Sequence, residues 1–130
     1  MFRLDKRKIF LLYHYYLLGK IAETEDENEK EREKIIWLNN CLEKEKFLSE
    51  KINKKLKIGW EFSRLSPLEK AILTYASYEL LLGKNIDLAK MIIDQTINFS
   101  KVYLEEDKYK YINKVLDLLI KEEKILSADN

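Results

Sequence analysis

Three glycines and one proline in 130 residues leave this chain very little with which to make tight reversals. Together they are about 3% of the sequence, where ordinary chains carry roughly 12%. Sandwiches, barrels and hairpin-rich folds need turn-formers at every reversal. The chain is therefore expected to be all-α. Hydrophobic residues make up 46%, too many for a disordered chain, and the length suits a single domain. The 36% that are charged are mostly Lys and Glu, which suit solvated helix faces.

Apolar periodicity predicts helices over 4–18, 32–40, 42–58, 67–82, 87–103 and 107–123. Gly19, Gly59 and Gly83 each close one of the apolar stretches, where glycine takes a left-handed conformation at little cost. Ser66-Pro67-Leu68-Glu69 is the strongest start signal, combining an N-cap hydroxyl, a first-turn proline and a capping-box acid. In the last helix Ile112, Val115, Leu116, Leu119 and Ile120 recur at the spacing of a core-facing stripe. The fifth carries Ala89, Ile93, Ile97 and Ser100, flanked by Ile92, Phe99 and Tyr103. It is apolar over most of its circumference and is expected at the centre of the second half. Glu23–Glu33, with six Glu and one Asp, is expected to be a solvated loop running into a helix start.

The formal charge is only +1, yet it is segregated. Residues 1–20 carry Arg3, Lys6, Arg7, Lys8 and Lys20 against Asp5 alone, and residues 44–57 carry six Lys against Glu45 and Glu50. Two basic patches on a near-neutral chain can hold a polyanion locally, although such runs are also what solvated helix faces look like. The single Cys41 forms no internal disulfide, which fits the cytosol. The apolar run Ile9–Leu18 is too short to span a bilayer and is broken by Tyr13, His14, Tyr15 and Tyr16. With one histidine, no Cys/His cluster and no phosphate-cradling glycine loop, neither catalysis, a metal nor a cofactor is expected.

Four segments in register resemble the NusB family of bacterial transcription antitermination factors. Arg64–Leu81 (RLSPLEKAILTYASYELL) resembles its central motif, and Ile93–Tyr103 (IDQTINFSKVY) its fifth-helix pattern. Glu106-Asp107 followed by Lys110–Asp117 (KYINKVLD) is similar to its last-helix signature, and Arg7–Tyr13 (RKIFLLY) to its basic start. The sequence departs where the family has a denser arginine cluster, with Arg3, Lys6, Arg7 and Lys8 here; lysines are point charges and make fewer bidentate phosphate contacts. The resemblance implies two packed helical bundles meeting near residue 60. It also implies a partner, the small-subunit ribosomal protein NusE. With NusE such a factor would bind boxA-type single-stranded RNA in ribosomal RNA leader transcripts, within the RNA polymerase antitermination complex. A helical protein–protein module that has lost RNA binding is the alternative.

The residues allow RNA binding on their own terms, because single strands are held by basic groups on phosphates and aromatic faces under bases. Arg3, Lys6, Arg7 and Lys8 supply the first, and Tyr13 and Tyr16 follow on about one helical face. Tyr13 fits a core position as well as an RNA contact. Lys110 and Tyr111 extend the surface from the last helix, Tyr111 lying one residue off the core stripe. Asp107 and Glu69 read as caps, and the resemblance puts both near functional surface. Glu79, close to Tyr75 and Tyr78, is a candidate for a partner contact or a buried hydrogen bond, which makes Glu69, Tyr75 and Glu79 the partner-binding set.

Overall fold

A computed structural model describes residues 1–21, 28–83 and 86–128, and among them there is no strand. The helices are α1 (Lys6–Leu18), α2 (Glu29–Glu43), α3 (Glu45–Asn53), α4 (Pro67–Leu81), α5 (Ala89–Tyr103) and α6 (Lys108–Ala128). Short 3-10 turns at Phe62–Arg64 and Ile86–Leu88 lead into α4 and α5. The all-α expectation holds. α1 ends where expected, on Gly19 in the left-handed region with φ at 72°.

Helix α4 starts as the sequence requires. The Ser66 hydroxyl accepts from the Glu69 N–H (3.3 Å), and the Glu69 carboxylate accepts in return from the Ser66 N–H (2.8 Å). Ser66→Ala is expected to cost about 1 kcal/mol. A thermal midpoint unchanged by that substitution would show that the hydroxyl contributes nothing to the helix start.

Two helix expectations are corrected. The stretch expected as one helix over 42–58 breaks at Lys44, whose N–H turns back to the Cys41 carbonyl, and α3 then ends at Asn53. Gly59 does not cap it; with φ at 90° it sits third in a tight turn closed by the Trp60 N–H on the Lys57 carbonyl (2.9 Å), where a side chain would be strained. In the second half α5 does pack on both α4 and α6, but it is not apolar over most of its circumference, and the helix central to the whole fold is α4. Residues 71–77 of α4 are buried without interruption, and α4 packs on α1, α3, α5 and α6. α5 buries only a stripe of Ala89, Ile92, Ile93, Thr96, Phe99 and Ser100, leaving Tyr103 and Val102 exposed. Small residues (Ala71, Ala76, Ser77) let four neighbours approach α4, whereas α5 bears Asp94, Asn98 and Lys101 on a face toward solvent. The α6 stripe is buried as read from the sequence. Of the acidic segment, residues 22–27 lie outside the described residues, while Glu29–Glu33 open α2 behind the Asn28 cap.

The segment before α1 is fixed by the second half of the chain. Gln95 on α5 clasps it with both ends of its carboxamide, accepting from the Leu4 N–H (2.7 Å) and donating to the Phe2 carbonyl (3.0 Å). The Asp5 N–H donates to the Tyr75 hydroxyl (2.9 Å), and Phe2 itself is buried.

Candidate nucleic-acid interface

Asp5 organises the basic start of α1. Its carboxylate caps the helix, accepting from the N–H groups of Arg7 (3.0 Å) and Lys8 (3.3 Å), and it pairs with Lys34 of α2 (3.4 Å). Beyond the cap, Arg3, Lys6 and Arg7 are exposed and Lys8 is half-buried. All four therefore share one end of the molecule. They are not all free. The Arg7 guanidinium forks onto Glu31, with Nε 3.2 Å from Oε1 and Nη2 3.1 Å from Oε2. Lys8 lies 4.9 Å over the Trp37 ring, and Lys6 is 5.9 Å from that of Tyr103. An exposed pair such as Arg7–Glu31 is worth at most about 1 kcal/mol, so a phosphate can displace the carboxylate at small cost.

The aromatic residues expected beside these charges are distributed differently. Tyr13 is half-buried against the core. Tyr16 is not brought to the basic start. It is ten residues along α1, about 15 Å from Lys6, with its hydroxyl 2.9 Å from Thr74 Oγ1 and its ring against Phe62. Burial pushes the Tyr16 hydroxyl well above its ordinary pKa. The adjoining cavity, of about 340 Å³, is lined by Glu45, Glu50 and Glu61 with Lys70, the wrong balance for a phosphate.

Tyr75 is corrected from a partner contact to a core residue. It is 1% exposed, its ring is 5.7 Å from that of Trp37, and its hydroxyl is committed to the Asp5 N–H. The internal spacing of α4 gave no sign of this, since the hydroxyl's partner lies 70 residues away. Glu79 is half-buried near Cys41. Burial, reinforced by the charge of Glu79, pushes the Cys41 thiol up to about 12, so it is protonated at neutral pH.

Glu69 does more than cap. It is 5% exposed, and its carboxylate gathers the Ser66 N–H, the Tyr111 hydroxyl (2.7 Å) and the Lys108 ammonium (3.6 Å). Burial works to raise its pKa, but the hydrogen bonds from Ser66 and Tyr111, with the charge of Lys108, outweigh it and hold Glu69 below the usual carboxylate range. The Tyr111 hydroxyl is driven the other way, by burial first and by its bond to Glu69. At neutral pH the proton therefore stays on Tyr111 and the charge on Glu69. This network ties the start of α6 to the start of α4.

Tyr111 is half-buried, with Trp60 edge-on to it at 5.2 Å. Asp107, just before α6, is exposed and pairs loosely with Lys110 (3.6 Å). The structure thus brings Asp107, Lys108, Lys110 and Tyr111 together with Trp60 and Lys57. Sequence reasoning missed Glu31 and Lys108, and it read Trp60 as a core or rim aromatic rather than a contact. Trp60 carried a usable signal, an aromatic three residues beyond a run of lysines.

Among the described residues no group of His, Cys, Asp and Glu is arranged to hold a metal, and no helix is long and apolar enough to cross a membrane.

The family model for NusB matches residues 8–121. The transcription antitermination protein NusB of Methylacidiphilum infernorum is 33% identical over 96 residues, 73% of this chain and 66% of its own length. That of Carboxydothermus hydrogenoformans is 38% identical over 79 residues, 61% of this chain and 54% of its own. That of Pasteurella multocida is 46% identical over 57 residues, 44% of this chain and 39% of its own. The matched stretch spans about half to two-thirds of the first two relatives, and no solved structure gives a significant match. The family is one of transcription antitermination factors, not enzymes. With its model covering most of the 130 residues, the chain belongs to the NusB family.

Proposed function

We propose that the chain is an RNA-binding antitermination factor of the cytoplasm. With the ribosomal protein NusE it binds boxA-type RNA of ribosomal RNA leader transcripts and promotes read-through by RNA polymerase. The observation that carries this reading is the cluster of Arg3, Lys6, Arg7 and Lys8 around the Asp5-capped start of α1, on a chain of this family. In it, those four side chains meet phosphates. Lys110, the rim of Tyr111 and Asp107 meet the strand at the start of α6. Tyr13 and Tyr16 support α1 from beneath. Glu69 and Glu79 serve the protein partner, Glu69 through the α4–α6 junction it holds, and Tyr75 holds the α1 start in place.

A chain at +1 overall has little long-range attraction for RNA, so a second protein should supply part of the phosphate contact. RNA is therefore expected to bind about tenfold or more tightly when NusE is present. A shift assay with boxA-containing RNA, with and without NusE, measures this. Equal affinity in both would sink the adaptor reading. The alternative, a protein–protein module that no longer binds RNA, draws support from Arg7 being held by Glu31 and Lys8 by Trp37. No RNA binding under either condition would favour it.

A further inference from the structure

A second group of unpaired cations lies away from the start of α1. Lys54, Lys57 and Lys114 are exposed and form no ion pair with an acid among the described residues, in contrast to Arg7, Lys34 and Lys108. They rim a cleft of about 500 Å³ between the α3–α4 connection and α6. No acid lines it, and Lys55 on the same rim is satisfied by Glu122 (3.3 Å). Its walls are apolar, with Trp60 at one side and Val115 and Leu118 from α6.

Trp60 is presented rather than packed away. It is 45% exposed, placed by the Gly59 turn. Tyr111 is fixed through its hydroxyl on Glu69 and meets the indole edge-on, an interplanar angle of 70°. The edge contact steadies the indole. A second hollow, of about 580 Å³, adjoins the cleft and shares Lys57, Trp60, Tyr111 and Lys114, so these residues form a ridge between two basins. The second basin also holds Glu105, Glu106 and Asp107, so a polyanion is favoured in the first.

The geometry points to a nucleotide subsite in the cleft beside Trp60, which takes a base of single-stranded RNA against the indole and its phosphates on Lys54, Lys57 and Lys114. The inference rests on the RNA-binding reading and extends its footprint away from α1. An aromatic platform inside a ring of unpaired lysines is the combination that holds single strands without reading their sequence. The volume is in the range of small-ligand sites and suits a base better than a folded partner's surface. Tyr111 is here a positioning residue.

The test uses the full chain with NusE and a boxA-containing RNA. Trp60→Ala is expected to weaken RNA binding about 5- to 150-fold, the range for losing one stacked base, and Trp60→Phe to keep most of the affinity. Replacing Lys54, Lys57 and Lys114 by Gln is expected to flatten the slope of log K against log salt by about 2. RNA should also change the tryptophan emission of the parent by an increment absent in Trp60→Phe. Parent-like affinity in Trp60→Ala together with a parent-like salt slope in the lysine variant would overturn the subsite and leave the RNA reading standing. A parent that binds no RNA would overturn both. A polyglutamate peptide that changes the Trp60 emission while RNA does not would reassign the cleft to an acidic protein.

Discussion

Replacing Glu69 by leucine is expected to lower the thermal midpoint by about 10 °C. The substitution strands the Ser66 N–H and the Tyr111 hydroxyl, both of which end on the Glu69 carboxylate, and leaves Lys108 without its counter-charge. Each stranded donor costs about 1–3 kcal/mol. Glu69→Gln keeps acceptors and should lose less. The same residue shapes the acid limb of stability. Its carboxyl is held below the ordinary range in the folded chain, so the unfolded chain takes up the proton first. Its contribution is complete above the ordinary glutamate pKa, about 4.3, and is lost as pH falls from there through the lower folded value. Melting curves from pH 7 down to about pH 3 should therefore fall less steeply for Glu69→Gln than for the parent. Parallel curves would show that Glu69 carries no such charge dependence.

The second large effect is expected at the α1 start. With Lys6, Arg7 and Lys8 all replaced by Gln, the slope of log K against log salt for boxA RNA should flatten by about 2, since each lost single-strand contact removes about 0.7. Gln is the cleaner choice over Glu. A carboxylate at position 7 would face Glu31, and any loss of RNA binding would then mix with a displaced α2. The Gln variant forfeits only the Arg7–Glu31 pair and two cation–ring contacts at partly exposed positions, so its fold should survive. NusE binding should persist if that partner docks mainly on the C-terminal helices. RNA affinity and slope equal to the parent's would reduce these three residues to a solvated helix start.

What the sequence made legible was local. The Ser66–Glu69 capping box, the Gly19 cap and the α6 stripe each rest on residues within one or two turns of each other, and each is found as read. The break between α2 and α3 was read at Cys41, three residues before Lys44, because no glycine or proline marks the place and both flanks are good helix formers. The centrality of α4 to the whole fold was obscured for another reason. Ala71, Ala76 and Ser77 score as weakly apolar, yet their small size is what admits four neighbouring helices. The candidate site fared worse than the fold. Basic and aromatic residue types could be named, but which were free depended on pairings across the chain. Glu31 reaches Arg7 from 24 residues away and Tyr111 reaches Glu69 from 42. No periodicity reports such partners.

The clasp of Gln95 on the backbone of Phe2 and Leu4 has a temporal consequence. It joins points 91 and 93 residues apart, and the Asp5–Tyr75 bond spans 70. Closing such long loops costs entropy that only the assembled second half can offset. During synthesis at about 5–20 residues per second, the first helix leaves the ribosome several seconds before the residue that clasps its leading end. The backbone of Phe2 and Leu4 is thus made early and clasped late, once α5 has been translated. A chain stalled before residue 95 would lack this clasp, while the Arg7–Glu31 and Asp5–Lys34 pairs, which lie within residues 5–34, can already form.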